Sequence, residues 1–332
     1  MLIVDAHLDL ACNALRGRNL LKPAAEQMAD ADGTPAVGLP DLHRGGVGAF
    51  CATIFCEPAI RPGDKGYRTA EQAHAEALRQ LHWYQQLEQT GHVRLVRRGS
   101  DLLRANSHSA PSMLLLMEGA DPLRTPEEVS SWFEAGLRIV GLAWRRTRYA
   151  GGTGTPGPLT AEGERLVREL DACHIIHDVS HLAEQSFWQL MDISDGPIIA
   201  SHSNCRAIIP TDRQLSDEMI RALVARGGVI GINFYDRFLV PPNEYGRRQA
   251  TLADVVRQVR HVCEIAGDVQ HVGIGTDMDG GFGREHIPAE LETSADLPRV
   301  ADALAEAGFD EAGIEHILSG NWLRFFSKVL PA

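Results

Sequence analysis

Eight short apolar runs recur along the chain, and most end in a polar side chain. They are LIVDAHLD (2–9), VGAFCATIF (47–55), MLLLMEG (113–119), IVGLAW (139–144), IIHDVSH (175–181), PIIASHS (197–203), GVIGINF (228–234) and HVGIGTDMD (271–279). Each is rich in Val, Ile or Leu and nearly continuous rather than alternating, the pattern of a strand covered on both faces. Segments with helical periodicity lie between them: 69–91, 125–136, 160–173, 216–228 and 251–267. TPEEVSSWFEAG (125–136) shows the punctuation in full, with a Thr cap, Pro at the first helical position, two acids in the first turn and a closing Gly. Strand followed by helix, eight times over, predicts an α/β chain closed into a (β/α)8 TIM barrel. A doubly wound sheet is disfavoured because no GxGxxG follows the first run. With no linker and no internal repeat, residues 1–332 read as one barrel domain. Residues 17–42 are expected to form a long loop after the first strand. The Gly-rich 149–160 lacks the Gly-Lys-Ser/Thr of a phosphate loop and reads as a flexible active-site or surface loop.

In such barrels the active site lies where the strands run into their following loops. The polar residues at those ends are His7 and Asp9 (first run), Glu118 (third), His181 (fifth), His202 (sixth), and Asp277 and Asp279 (eighth). Imidazoles and carboxylates from five strands suit a divalent transition metal, with zinc the default. His7 and Asp9 are two residues apart, so on a strand both face the same side. His7, Asp9, Glu118, His181 and His202 exceed what one tetrahedral ion needs, which points to two ions about 3.5–4 Å apart bridged by a carboxylate. Glu118, at the end of an otherwise apolar strand, is the natural bridge. Singly, each residue has a plain structural reading: a core histidine, a turn cap, the start of a loop. Jointly, metal-type ligands at five strand ends are hard to reach by chance.

Composition narrows the reading. Formal net charge is −12 and the pI about 5.6, which argues against nucleic acid or an anionic membrane as partner. Lysine occurs only at 22, 65 and 328. Some binuclear barrel hydrolases bridge their metals with a carbamylated lysine; the fourth run here ends GLAW with no lysine near, and Schiff-base chemistry is disfavoured for the same reason. The six cysteines are scattered without a CxxC, which favours a reducing compartment. No apolar stretch approaches the ~20 residues of a membrane span. No signal-peptide pattern precedes the first strand, so a cytoplasmic protein is expected.

DAHLDL, MEG, DVSH, SHSN, NFY, GIGTDMDG and the closing GNWLRFF appear in this order over nearly the whole chain. In that combination the sequence resembles the membrane dipeptidase (renal dipeptidase-like) family of amidohydrolase-type metal barrels. The resemblance implies two Zn2+ per chain, one held by His7, Asp9 and Glu118 and the other by Glu118, His181 and His202. It implies that Asp277 is the general acid/base, that Arg213 holds the substrate carboxylate and that Tyr235 lines the pocket. The implied substrates are dipeptides, with a D-residue tolerated at the C-terminal position, cleaved by a metal-bridging hydroxide. Trp144 stands where the family usually carries a histidine that contacts the substrate carbonyl or oxyanion. Indole offers one donor and no basic nitrogen. Trp144 either donates a hydrogen bond, packs on a larger side chain, or leaves the task to Arg145 or Arg146. Three functions therefore stand at this point: a binuclear zinc dipeptidase; a metal amidohydrolase acting on N-acyl amino acids or another small amide; and a catalytically silent metal-barrel ligand-binding protein. The expected partner is a small-molecule dipeptide, with no nucleic acid and no membrane. A homodimer is compatible with such barrels, though no residue requires it.

Overall fold

The computed structural model describes residues 1–106, 109–242 and 249–332. Among the described residues are nine parallel strands: β1 Ile3–Leu8, β2 Val47–Phe55, β3 Arg94–Leu95, β4 Ser112–Glu118, β5 Leu137–Gly141, β6 Ile176–Asp178, β7 Ile198–Ile199, β8 Ile230–Ile232 and β9 Val272–Ile274. Eight of them follow the order β7-β6-β5-β4-β2-β1-β9-β8 and correspond to the eight apolar runs. β3, which the run pattern misses, is two residues long and pairs with Ser112 and Met113 of β4, on the edge that β5 takes over from Leu115. The ring closes between β7 and β8 through the bridge Ala200↔Ile230. There the Gly231 N–H donates to the Ala200 carbonyl (2.8 Å) and the Ala200 N–H to the Val229 carbonyl (3.1 Å). The expected TIM barrel is thus present, nearly closed.

The closure needs glycine at two points. A Cβ on Gly231 or Gly275 would stand 1.9 or 1.8 Å from the Ser201 carbonyl oxygen. Only a bare backbone lets the chain after β7 approach β8 and β9 this closely.

Side chains alternate between two apolar layers, as the strand period of two requires. On β2, Ala49 and Cys51 face the barrel interior, where they meet Val4, Leu114, Leu116, Ile139 and Ile176 from other strands. Trp322 and Phe326 of helix Asn321–Val329 join the same cluster. The Trp322 indole N–H donates to the Ile274 carbonyl (3.1 Å), so its one polar atom is satisfied in the core. Phe50, Ala52 and Ile54 face the outer layer with Leu81, Leu166, Leu223 and Val255 of the surrounding helices.

Helices occupy all five segments with helical periodicity. Thr69 caps Ala70–Gln89 by accepting from the Gln72 N–H (3.3 Å). Thr251 and Asp254 form a capping box on Leu252–Ala266, which Gly267 ends in a left-handed turn (φ 80°). The expected loop 17–42 is more ordered than its sequence suggests. It contains a 3-10 turn, Ala24–Glu26, and the start of helix Leu39–Arg44. Asp279, beyond the neighbouring strand β9, pins it by accepting from the Ala36 and Val37 N–H groups (3.0 and 2.9 Å) and pairing with Arg18 (3.0 Å), a contact whose side chains are 2% and 1% exposed.

Candidate metal centre and active site

Five strand ends deliver their polar residues to one place. His7 lies near the end of β1, Glu118 is the last residue of β4, His181 and His202 follow β6 and β7, and Asp277 follows β9. Asp9 lies one residue beyond β1, at the N-cap position of helix Leu10–Leu15, yet its side chain makes no capping bond. It turns instead toward His7, with 3.8 Å from its Oδ2 to His7 Nε2. The Glu118 carboxylate is central: Oε1 is 3.2 Å from His181 Nε2 and 3.3 Å from His202 Nε2, while Oε2 is 3.7 Å from His7 Nε2. Ligand atoms gather within 4.8 Å in three sets: His7, Asp9 and Glu118; Glu118, His181 and His202; and His7, His202 and Asp277. His181 and Asp277 adopt left-handed backbone angles (φ 66° and 58°), a conformation side chains rarely take and one that clusters at functional sites.

An outer ring of hydrogen bonds aims the imidazoles. The Ser201 hydroxyl donates to Asp178 Oδ2 (2.5 Å), and its oxygen lies 2.7 Å from His202 Nδ1 and 3.3 Å from His7 Nδ1. Its single proton is given to the carboxylate, so both Nδ1 atoms carry hydrogen and donate, which leaves the two Nε2 atoms to face a metal. Thr153 Oγ1 lies 3.0 Å from His181 Nδ1 and holds that ring from behind. His181 Nε2 and His202 Nε2 then face each other at 3.0 Å. With the His202 lone pair on Nε2, that contact requires either a hydrogen on His181 Nε2 or a cation between the two rings. His7 Nε2, Asp9 Oδ1 and Glu118 Oε1 are buried and have no hydrogen-bond partner among the described residues. Orphaned buried polar atoms are rare, and this set of nitrogens and carboxylate oxygens fits a divalent metal of the zinc type.

Proton affinities show the same strain. Burial raises Asp277 to about 8 and Asp9 to about 7, since neither carboxylate can ionise freely beside Glu118. Burial alone would lower His7, but the Glu118, Asp9 and Asp277 carboxylates outweigh it and raise the imidazole to about 10. Burial resists ionisation of Glu118 too, yet the three imidazoles hold it well below its ordinary value. Burial and Arg213 push His181 down to about 4, and burial and His7 keep His202 neutral. Without a cation the cluster stores protons that a metal would displace.

A cavity of about 470 Å3 opens on these groups, bounded by Trp144, Arg145, Thr153, Tyr235 and Phe282 among others. Tyr235 stacks on Phe282 (4.2 Å, 15°). Trp144 meets Phe55 edge-on (5.2 Å) and stands 6.2 Å from the His181 ring, forming an aromatic wall. Arg213 is buried behind His202: Nη2 donates to the His202 carbonyl (2.6 Å), Nη1 to Ser203 Oγ (3.0 Å), and Nε has no partner. It does not line the cavity wall. Arg146 is exposed and donates to the Pro156 carbonyl (2.9 Å), whereas Arg145 faces the cavity. Asp279 borders the cavity, but its carboxylate is engaged by Arg18 and the two loop amides. Asn233, absent from the sequence-based set, donates to Asp277 Oδ2 (2.9 Å), and its backbone N–H is held by Asn204 Oδ1 (2.8 Å). Its place in NFY, just before Tyr235, was the available signal. Ser201 and Asp178 flank the histidines of SHS and DVSH, but Thr153 carries no sequence signal. The three lysines are all exposed and take no part.

A parallel barrel with imidazoles and carboxylates gathered at the C-terminal ends of its strands defines a metal-dependent hydrolase. The sequence profile of the membrane dipeptidase family (peptidase family M19) matches residues 1–331. A metallopeptidase structure described as dipeptidase AC, of the same family, superposes with a TM-score of 0.85 at 27% identity, covering 100% of this chain and 99% of that one. A metallopeptidase from Rhodobacter sphaeroides, liganded with a phosphinate mimic of the dipeptide L-Ala-D-Ala, gives a TM-score of 0.85 at 26% identity over 99% of each chain. The dipeptidase tcpJ of Claviceps purpurea is 26% identical over 88% of this chain and 69% of its own. An uncharacterised Klebsiella pneumoniae protein from the pqqA 5' region is 33% identical over 72% of this chain and 90% of its own. The chain belongs to the membrane dipeptidase family and is a metal-dependent dipeptidase. No helix among the described residues is long and apolar enough to cross a membrane.

Proposed function

We propose that this chain is a cytoplasmic, single-domain binuclear zinc dipeptidase. The observation that carries this reading is the convergence of three imidazole Nε2 atoms and the Asp9 and Glu118 carboxylates, with three of these buried polar atoms unpartnered among the described residues. His7, Asp9 and Glu118 would hold one ion and Glu118, His181 and His202 the other. Bound there, two zinc ions would lower the pKa of water toward neutrality and polarise the scissile carbonyl.

The chain's own residues supply the rest. Asp277 takes the proton of the attacking water and returns it to the leaving nitrogen, so water adds across the C–N bond and an acid and an amine are released. Asn233 holds Asp277 Oδ2, which leaves Oδ1, 4.0 Å from His7 Nε2, as the oxygen that carries the proton. Arg213, with its unpartnered Nε–H, attracts the substrate's C-terminal carboxylate. Tyr235 and Trp144 form apolar walls that exclude water. Tolerance of a D-residue at the C-terminal position is part of the proposal, supported by the L-Ala-D-Ala mimic bound by the Rhodobacter relative.

The zinc-loaded protein should release free amino acids from members of an L-Xaa–L/D-Xaa dipeptide library. Failure to cleave any member would remove the proposal. The aromatic wall of Trp144 and Phe55 favours a second reading, an amidohydrolase of N-acyl amino acids with bulky acyl groups. Turnover of such compounds exceeding every dipeptide by orders of magnitude would decide for it.

A further inference from the structure

Three arginines crowd the loop after β5: Arg145, Arg146 and Arg148. Two have structural work. Arg146 holds the Pro156 carbonyl (2.9 Å), and Arg148 holds those of Leu123 (2.7 Å) and Arg124 (3.0 Å) beside Asp121. The Arg145 guanidinium has no hydrogen-bond or ion-pair partner among the described residues, yet it is half-buried and lines the cavity. The other charges on that wall are matched. Arg16 pairs with Asp32 (3.3 Å) and Glu57 (2.9 Å), and Asp279 pairs with Arg18 (3.0 Å). Asp9, Glu118 and Asp277 belong to the metal cluster. One cation is left over, facing the space a substrate must fill.

Its position is defined by the loop that carries it. The Thr153 hydroxyl meets His181 Nδ1 (3.0 Å), and the Gly154 N–H donates to Asp212 Oδ2 (2.8 Å), next in sequence to Arg213. Arg145 Nη2 lies 3.5 Å from where a Gly154 Cβ would stand. Arg145 thus lies against a loop that Asp212 ties to the segment carrying Arg213, which itself sits behind His202. With the α-carboxylate drawn toward Arg213, Arg145 is the unmatched charge on the cavity wall left for the side chain of the same residue. A planar guanidinium recognises a carboxylate through two parallel hydrogen bonds.

We propose that Arg145 forms a side-chain subsite that selects dipeptides with Asp or Glu as the C-terminal residue. This rests on the dipeptidase reading above. It is tested by kcat/KM of the zinc-loaded enzyme for Ala-Asp and Ala-Ala pairs, each with an L- and a D-residue second. The wild type should favour Ala-Asp. Arg145→Met should lower the Ala-Asp to Ala-Ala ratio by about 10–100-fold, the range for losing a charge-assisted hydrogen-bonded pair. Arg145→Glu should turn the preference toward Ala-Lys. A ratio within twofold of wild type in Arg145→Met overturns the subsite. So does a parallel fall for both substrates, which would place Arg145 at the α-carboxylate or the oxyanion. Cleavage of no dipeptide at all by the wild type would remove the dipeptidase reading and the subsite together. Equal turnover of Ala-Ala and Ala-Asp would remove the subsite alone.

Discussion

Ser201→Ala isolates the ring of hydrogen bonds behind the histidines. Ser201 is fully buried (0% exposed), and its hydroxyl oxygen serves His202 Nδ1 at 2.7 Å and His7 Nδ1 at 3.3 Å. Without that hydroxyl the well-held His202 N–H is orphaned and the longer His7 hydrogen bond disappears. Asp178 Oδ1 keeps the N–H groups of Ser180 (3.0 Å) and Ser201 (2.9 Å), so that carboxylate stays anchored. A buried unpaired donor costs about 1–3 kcal/mol, which at 1.4 kcal/mol per decade is about 10–100-fold in metal affinity. The same range is typical when an outer-shell partner of a ligating histidine is removed. Competition with a chromophoric zinc chelator measures the affinity, and circular dichroism melting of the metal-free protein checks the fold. Affinity within twofold of wild type, with the metal-free melting temperature unchanged, would refute the claim that Ser201 sets the imidazole tautomers.

Asp277→Asn should lower kcat by about 10²–10⁴-fold with the metal content retained; loss of metal instead would make Asp277 a ligand. Asp279→Asn breaks the buried pair with Arg18, and Asp30 still holds that guanidinium through two bonds (2.6 and 2.8 Å), so the loss of stability should be about 3 kcal/mol, seen as a lower urea midpoint. A midpoint equal to wild type would show that this pair does not anchor the loop. Zinc affinity should rise by at least about tenfold per pH unit between pH 6 and 8. In the metal-free cluster His7 keeps its proton up to about 10, so it is protonated across that window and each binding event must expel the proton. Affinity independent of pH there would contradict the storage of protons in the cluster.

Most of the barrel was legible because strands buried on both faces read as apolar runs. VGAFCATIF matches β2 from end to end. PIIASHS supplies only Ile198–Ile199 as strand, because the backbone beyond bends into the site: the Ser201 N–H goes to Asp178 and the His202 N–H to Ser180 Oγ rather than to a neighbouring strand. β3 was invisible because two residues carry no period. His7 and Asp9 meet as their spacing suggests, although Asp9 lies past the strand, whose register with β2 shifts between Asp5 and Leu8. Asp279 sits two residues beyond Asp277 yet serves the loop around Ala36, since both residues adopt left-handed backbone angles and the two carboxylates leave in different directions. Thr153 is a residue type common in any turn, and only the folded geometry singles it out, whereas Asn233 at least stands in the NFY motif beside Tyr235. Nor could sequence tell which guanidinium faces the cavity, because that depends on which carbonyls the loops bring within reach of Arg146, Arg148 and Arg213.

The central claim is that two cations share Glu118 at the barrel mouth. Anomalous diffraction at the zinc edge, from crystals grown with zinc and paired with elemental analysis of the same protein, tests it most directly. Two peaks about 3.5–4 Å apart are expected, one among His7, Asp9 and Glu118 and the other among Glu118, His181 and His202. A single peak, or none at these side chains under zinc-replete conditions, would contradict it.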